Sequence, residues 1–204
     1  PFPMEEIYDP QSEVWGQTCQ LELNRRYQLK ALSGKGKSSL IAFLFGLRKD
    51  FLGDIKLGST NLEQLKGKDW AKLRSRHLSA VFQDLKLFRD RTARQNILIK
   101  TEQNEAASPI DPWQMAEELQ VKRLLDKKIK YLSFGERQRI AIIRALAQPF
   151  RFLMLDEPFS HLDAERAQVA CHWIDKACTN QHAGFLLTTL GPDYDFAYDE
   201  TKLL

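Results

Sequence analysis

With 204 residues the chain is long enough for one generous domain, or for a domain carrying an inserted lobe. Its 43% hydrophobic content supports a core, its 28% of charged residues is ordinary for a water-soluble domain, and a net charge of +3 is too small to point to nucleic acid. The longest apolar stretch, Leu40 to Leu47, falls far short of the roughly 20 residues of a membrane helix, no secretory leader is legible, and Cys19, Cys171 and Cys178, with neither CxxC nor metal spacing, read as reduced thiols.

Along the chain, Cys19, Leu21 and Leu23 alternate with polar residues, as do Tyr27, Leu29 and Ala31, which predicts two short strands around a turn at 24–26. The second strand runs into a glycine-containing loop, and Ser39 to Leu47 then reads as a buried helix. Leu78 to Phe82 predicts another strand. From Asp84 to Lys130 the character changes: the segment is polar, carries Pro109 and Pro112, and becomes helical from Trp113 to Leu125. It reads as a mostly helical lobe inserted into an α/β core. Gly135 to Ala147 predicts a helix, Arg151 to Leu155 a buried strand, Ala164 to Ala177 a helix and Phe185 to Thr189 a last core strand. This alternation argues for a mainly parallel sheet.

Three strings carry chemistry. The first is a strand, then Ala31-Leu-Ser-Gly-Lys-Gly-Lys-Ser-Ser39, then a helix, which is the phosphate-loop pattern in its expected setting. The backbone N–H groups from Ser33 and Gly34 through Lys35 and Gly36 to Ser39 can turn inward as an anion cradle at a helix N-terminus. A side chain at Gly34 or Gly36 would hold the backbone off the phosphates. Lys37 is placed to reach the β- and γ-phosphates, and Ser38 to bind Mg²⁺. The second string, Phe152-Leu-Met-Leu-Asp-Glu157, is an apolar run ending in two carboxylates. A buried strand would deliver Asp156 to the sheet edge as a Mg²⁺ ligand and leave Glu157 to orient a water as general base. In the third, Tyr131 to Leu146, Ser133 reads as the cap of a helix whose N-terminus suits a phosphate. One cradle already serves each site, so this second one would most economically serve the nucleotide of a partner subunit.

At this third string the sequence resembles the ATP-binding cassette (ABC) ATPases, whose Leu-Ser-Gly-Gly-Gln signature stands here as Leu132, Ser133, Phe134, Gly135 and Glu136. The resemblance covers nearly the whole chain and its parts keep the family's order. Val81-Phe82-Gln83 matches the loop whose glutamine senses Mg²⁺, Asp156 and Glu157 match the metal-binding aspartate and catalytic glutamate, and Ser160 to Asp163 matches the loop that crosses the dimer interface. Tyr8 lies about where the family's adenine-stacking aromatic lies, with Phe2 and Trp15 as competitors. The resemblance implies a single phosphate-loop NTPase domain over 1–204 with a RecA-like, mainly parallel core sheet, a small N-terminal antiparallel part, and a helical lobe over 84–134 that ends in the signature.

Asn61 to Leu65, Leu73 to Gln83, Leu87-Phe88, Thr92 and Gln95-Asn96 look most like the branch of lipoprotein release, macrolide-type efflux and the cell-division complex. What the resemblance implies is an ATP- and Mg²⁺-dependent ATPase that dimerises on ATP with itself or another cassette. It would drive an integral membrane permease from the cytoplasmic face through a groove near Phe88 to Asn96, with no nucleic acid involved. Two departures stand out: Ala31 replaces the loop's first glycine, and Leu190 occupies the place of the family's switch histidine, with His182 ahead of the strand. Leucine cannot donate a hydrogen bond, which implies slowed hydrolysis with binding retained. Two alternatives follow, a binding-only degenerate cassette and a non-transport cassette acting on ribosomes or DNA. The basic stretch Lys122 to Lys130 is read as a solvated helix face.

Overall fold

The computed structural model describes residues 2–3 (backbone alone), 11–30, 34–102, 108–190 and 194–204. In chain order the elements are β1 (Phe2–Pro3), β2 (Arg26–Lys30), α1 (Lys37–Leu44), β3 (Phe51–Leu52), β4 (Lys56–Leu57), β5 (Thr60–Asn61), α2 (Gly67–Arg76) and β6 (Leu78–Val81). They continue with α3 (Ala93–Thr101), α4 (Pro112–Glu118), α5 (Phe134–Leu146), β7 (Phe152–Asp156), α6 (Ala164–Gln181), β8 (Gly184–Thr189) and β9 (Glu200–Leu203). Five strands form one sheet in the order β6-β7-β8-β2-β9, and every neighbouring pair is parallel. The alternation of strands and helices predicts such a parallel sheet, and it is the core that the resemblance to the ABC ATPases implies. The antiparallel strand pairs among the described residues are β1 with β3 and β4 with β5, and an isolated antiparallel bridge joins Thr92 to Lys128.

A parallel sheet is buried on both faces, so its strands are apolar throughout. Side chains alternate between the two sides. Leu153, Leu155, Phe185 and Leu187 join the core formed by α3 to α6, whereas Phe152, Met154, Leu186, Tyr27 and Leu29 join the core formed by α1 and α2. Among the described residues from 84 to 134, Ile97, Met115, Leu119 and Ile129 pack into the first of these cores, whereas Phe88 and Tyr131 stay exposed.

Several boundaries differ from expectation. The stretch from Cys19 to Leu23 alternates like a strand but pairs with no sheet, and Arg26, expected in the turn, opens β2 instead. The first helix begins at Lys37 and ends at Leu44, because the N–H groups of Gly46 and Leu47 turn back onto the carbonyls of Phe43 and Ala42. The expected helix from Trp113 to Leu125 breaks at Gln120, whose φ of 56° is left-handed, and resumes as a 3₁₀ turn at Lys122–Leu124. The elements outside the expectations are the short strands β3 to β5, α2 and the edge strand β9, and α3 forms in a stretch read only as polar. Cys171 and Cys178 are free and buried, and burial pushes both thiols up to about 12. No helix among the described residues is long and apolar enough to cross a membrane.

Candidate functional site

In a parallel sheet all the carboxyl ends emerge at one edge, and ligands bind in the crevice outside it. Here that edge collects the loop after β2, Gln83 after β6, Asp156 and Glu157 at the end of β7, and Thr188 and Thr189 at the end of β8. β8 stands between β2 and β7, so the loop and the carboxylates meet across one intervening strand.

Tyr8, Ala31 and Ser33 lie outside the described residues. From Gly34 onward the loop is defined. Gly34 and Gly36 hold φ of 81° and 88°, a conformation open to glycine without strain. A Cβ built on Gly34 meets nothing within 4 Å, so the backbone faces open space that a phosphate could fill. Gly36 is the N-cap of α1 and offers no side chain, which leaves the N–H groups of the first turn to an external acceptor. Trp15 braces the loop, its Nε1 donating to the Lys35 carbonyl at 3.0 Å while its ring meets Phe43 edge-on at 6.2 Å.

Lys37 is 6% exposed, and its Nζ lies 3.9 Å from Glu157 Oε1. Burial lowers the ammonium's pKa, and the charges of Glu157 and Asp156 pull it partly back. Asp156 is 2% exposed and accepts a hydrogen bond from Thr188 Oγ1 at 2.8 Å, which fixes the carboxylate. Ser38 Oγ lies 3.4 Å from Gln83 Oε1, too long for a strong O–H···O bond. It is near the spacing of about 3 Å between adjacent oxygens around a small octahedral cation with 2.0–2.1 Å bonds. Ser38 and Gln83, with the Asp156 carboxylate at the tip of the neighbouring strand β7, offer oxygen donors of the kind Mg²⁺ takes. No cluster of three or more His, Cys, Asp or Glu suited to a metal occurs among the described residues, so a cation here would draw its other ligands from phosphate and water. The Ser39 hydroxyl accepts from Arg48 Nη1 at 2.9 Å, which leaves the backbone N–H as the group this residue was expected to offer the cradle.

Arg144 on α5 positions Gln83. Its buried guanidinium donates to the carbonyls of Leu85 and Lys86 at 2.8 and 2.7 Å, pinning two left-handed residues just after the glutamine. Glu157 is left-handed as well, at φ 48°, a strain of about 1 kcal/mol for a residue with a side chain. Its N–H donates to the Thr188 carbonyl at 3.2 Å, and its own carbonyl accepts from Gln138 Nε2 at 3.2 Å.

The remaining predicted residues gather around the N-terminus of α5. Ser133 is the N-cap in a capping box: Glu136 N donates to Ser133 Oγ at 3.3 Å, and Ser133 N to Glu136 Oε2 at 2.8 Å. That backbone bond holds the Glu136 carboxyl below its usual range. The ring of Phe134 lies 4.2 Å from that of His161, and a Cβ on Gly135 would come within 2.7 Å of the His161 carbonyl oxygen. Asp163 caps α6, accepting from Arg166 N at 2.9 Å and pairing with the Arg166 guanidinium. Arg123, Arg139 and Arg166 line the cavity of about 300 Å³ at the N-terminus of α5 together with Glu136 and Asp163, and the balance of these charges with the helix end favours an anion. The structure therefore brings Lys37, Ser38, Gln83, Asp156 and Glu157 into one group, and Ser133, Phe134, Gly135, Glu136 and Asp163 into another.

At the tip of β8, Leu190 is 53% exposed and lines, with Glu157, Thr189 and Tyr194, a cleft of about 1000 Å³ along α6. His182 caps α6 at the opposite end of β8, and His161 is engaged with Phe134 and Ser160. Sequence reasoning missed Thr188 and Gln138, and it read Trp15 as a competitor for adenine stacking rather than as the brace of the loop. Gln138 lies on the face of α5 that also buries Ala141, Ile142 and Ala145, so its polarity is out of place there, but nothing in the sequence names its partners.

A family model described as ABC transporter matches residues 16–160. The chain is 34% identical over 187 residues to the lipoprotein-releasing system ATP-binding protein LolD of Pseudomonas fluorescens, covering 88% of this chain and 82% of that one. It is 33% identical over 149 residues to the sulfate/thiosulfate import ATP-binding protein CysA of Escherichia coli K12, covering 70% of this chain and 39% of that longer one. Among solved structures, the dimeric structure of MJ0796, a bacterial ABC transporter cassette, superposes with a TM-score of 0.74 at 23% identity, covering 85% of this chain and 78% of that one, a likeness of fold.

Proposed function

This chain belongs to the ABC transporter family, and from that premise we propose that it is the ATP-binding and ATP-hydrolysing subunit of a transporter or force-transmitting complex. The observation that carries the proposal is a buried lysine at a phosphate-loop helix, close to two consecutive carboxylates at the tip of β7. Lys37 neutralises the β- and γ-phosphates. Ser38, Gln83 and Asp156 hold Mg²⁺, which supplies charge stabilisation to the transferring phosphoryl group. Glu157, beside Lys37, orients the attacking water and takes its proton.

The second group completes a site on another copy. The N-terminus of α5, with Ser133, Phe134, Gly135 and Glu136, faces a nucleotide held by the partner's loop, and Asp163 lies at the same interface. Two nucleotides are then enclosed head to tail between two cassettes, in a homodimer or with a related cassette. Closure on ATP and reopening after hydrolysis drive a permease subunit in the membrane, which holds the cassette at the cytoplasmic face. The contact runs through segment 84–134, where Phe88 is exposed and Asn96 fixes the turn beneath it by bonding Phe88 N, Phe88 O and Thr92 O at 2.8, 3.1 and 2.9 Å. LolD and CysA differ in the cargo they are named for and share the cassette, so the function proposed is the shared one.

The test is Glu157→Gln with ATP and Mg²⁺. A stable dimer that elutes at twice the monomer mass with bound ATP is expected, and a variant that stays monomeric at saturating ATP overturns the sandwich. Leu190 favours a second reading, in which nucleotide binding holds an assembly together and turnover is slow. Phosphate release by the parent chain with its membrane partner separates the two readings.

A further inference from the structure

Gln138 is 2% exposed in the second turn of α5, and its side-chain amide has every strong hydrogen-bonding group engaged outside its own helix. Nε2 donates to the Glu157 carbonyl at 3.2 Å and to Ser160 Oγ at 3.3 Å, while Oε1 accepts from His161 N at 3.1 Å. These partners fix which way the amide points. Flipped, it would set oxygen against a carbonyl and NH₂ against an N–H. The backbone it grips includes the left-handed Glu157, a conformation that persists only where surroundings impose it. The Glu157 N–H is tied to Thr188 of β8, so the peptide units on either side of its Cα are each anchored, one to the sheet and one to α5. Four residues before Gln138, Phe134 presses on His161, and Gly135 touches the same backbone, so the N-terminus of α5 and segment 157–161 move as one piece.

We infer that Gln138 is a positioning residue for hydrolysis, holding the Glu157 backbone so that its carboxylate is aimed, and making that aim depend on where the N-terminus of α5 sits. The inference rests on the reading of Glu157 as the base. Gln138, buried and bonded to Glu157, Ser160 and His161, acts through that backbone rather than on the substrate. It converts a displacement of α5, the helix whose N-terminus would meet the opposing nucleotide, into a displacement of the carboxylate. Nucleotide affinity, set by the loop and Lys37, is separate from this linkage.

Gln138→Met keeps the length and removes both ends of the amide. Steady-state phosphate release by the full chain with ATP and Mg²⁺ is expected to show kcat falling ten- to a hundredfold with KM within twofold, the signature of a misaimed group. In a Glu157→Gln background the same substitution is expected to change the residual rate by less than twofold, because it acts through Glu157. A Gln138→Met kcat within twofold of the parent, with Glu157→Gln slow, overturns the inference and leaves the base intact. A loss that recurs in full in the Glu157→Gln background also overturns it, as a general structural effect. Should Gln138→Met fail to fold, Gln138→Glu keeps the shape and the acceptor for His161 N–H but has no donor for the Glu157 carbonyl. The same kcat loss is expected, and a parental rate refutes the linkage. If Glu157→Gln itself turns over at the parental rate, the assignment of the base fails, and the inference with it.

Discussion

A methyl group at Gly135 would sit 2.7 Å from the carbonyl oxygen of His161, nearer than real Cβ contacts come, and the obstacle is backbone rather than a side-chain tip that could swing aside. Either the N-terminus of α5 or segment 160–162 must give way. Both adjoin Glu157, so the predicted outcome of Gly135→Ala is at least a tenfold fall in ATP turnover. Phosphate release measures that fall, while melting temperature drops by only a few degrees because the sheet is untouched. The residues that bear charge at the site were largely legible from the sequence: Lys37, Asp156 and Glu157 stand at fixed offsets from a strand or loop that announces itself. Thr188 and Gln138 were not. Each acts through a partner more than 15 residues away, and a single sequence does not display such pairings.

Elements were legible where burial is two-sided and illegible where it is thin. β7 and β8 are buried at every position, and their apolar runs could hardly be read otherwise. α2 buries only Trp70 and Leu73 and starts at Gly67 behind Lys66, so neither an apolar stripe nor a serine or aspartate cap marked it. β9 is half exposed, and its Glu-Thr-Lys-Leu pattern is also that of a surface loop. The stretch from Cys19 to Leu23 has the right period, but alternation yields a strand only where a sheet edge is available to pair with. On α3, burial together with the charges of Arg144 and Arg74 brings Lys100 down to about 8 from 10.5. A depressed lysine binds fewer protons folded than unfolded, so folding stability rises with pH between about 8 and 10.5 and is lowest below 8. Lys100→Met is accordingly expected to be more stable than the parent at pH 7, by about 2 kcal/mol. The advantage shrinks above pH 8, as read from urea midpoints across that range.

For the molecule as a whole, the two groups of site residues define a complementation test. Lys37→Ala disables the loop of a copy and leaves its α5 N-terminus intact, and Ser133→Glu does the reverse. If each site draws one part from each copy, both variants are inactive alone, yet a mixed dimer has one site built entirely from intact parts. Mixing them is expected to recover phosphate release to roughly a quarter of the parental rate, one competent site of two in the half of dimers that are mixed. No recovery at any ratio means that the sites are not shared. The bond from the Trp15 indole to the Lys35 carbonyl gives such experiments a window. Trp15 is one of four tryptophans, and it is in direct contact with the phosphate loop, whereas Trp70 packs against the C-terminal end of α1, Trp173 lies in the core of α6, and Trp113 meets Arg94 on α3. Whatever draws the loop closed also alters the polarity and hydrogen bonding around that one indole. The chain thereby carries its own fluorophore at the point where nucleotide arrives, and the state of the loop becomes a colour as well as a rate.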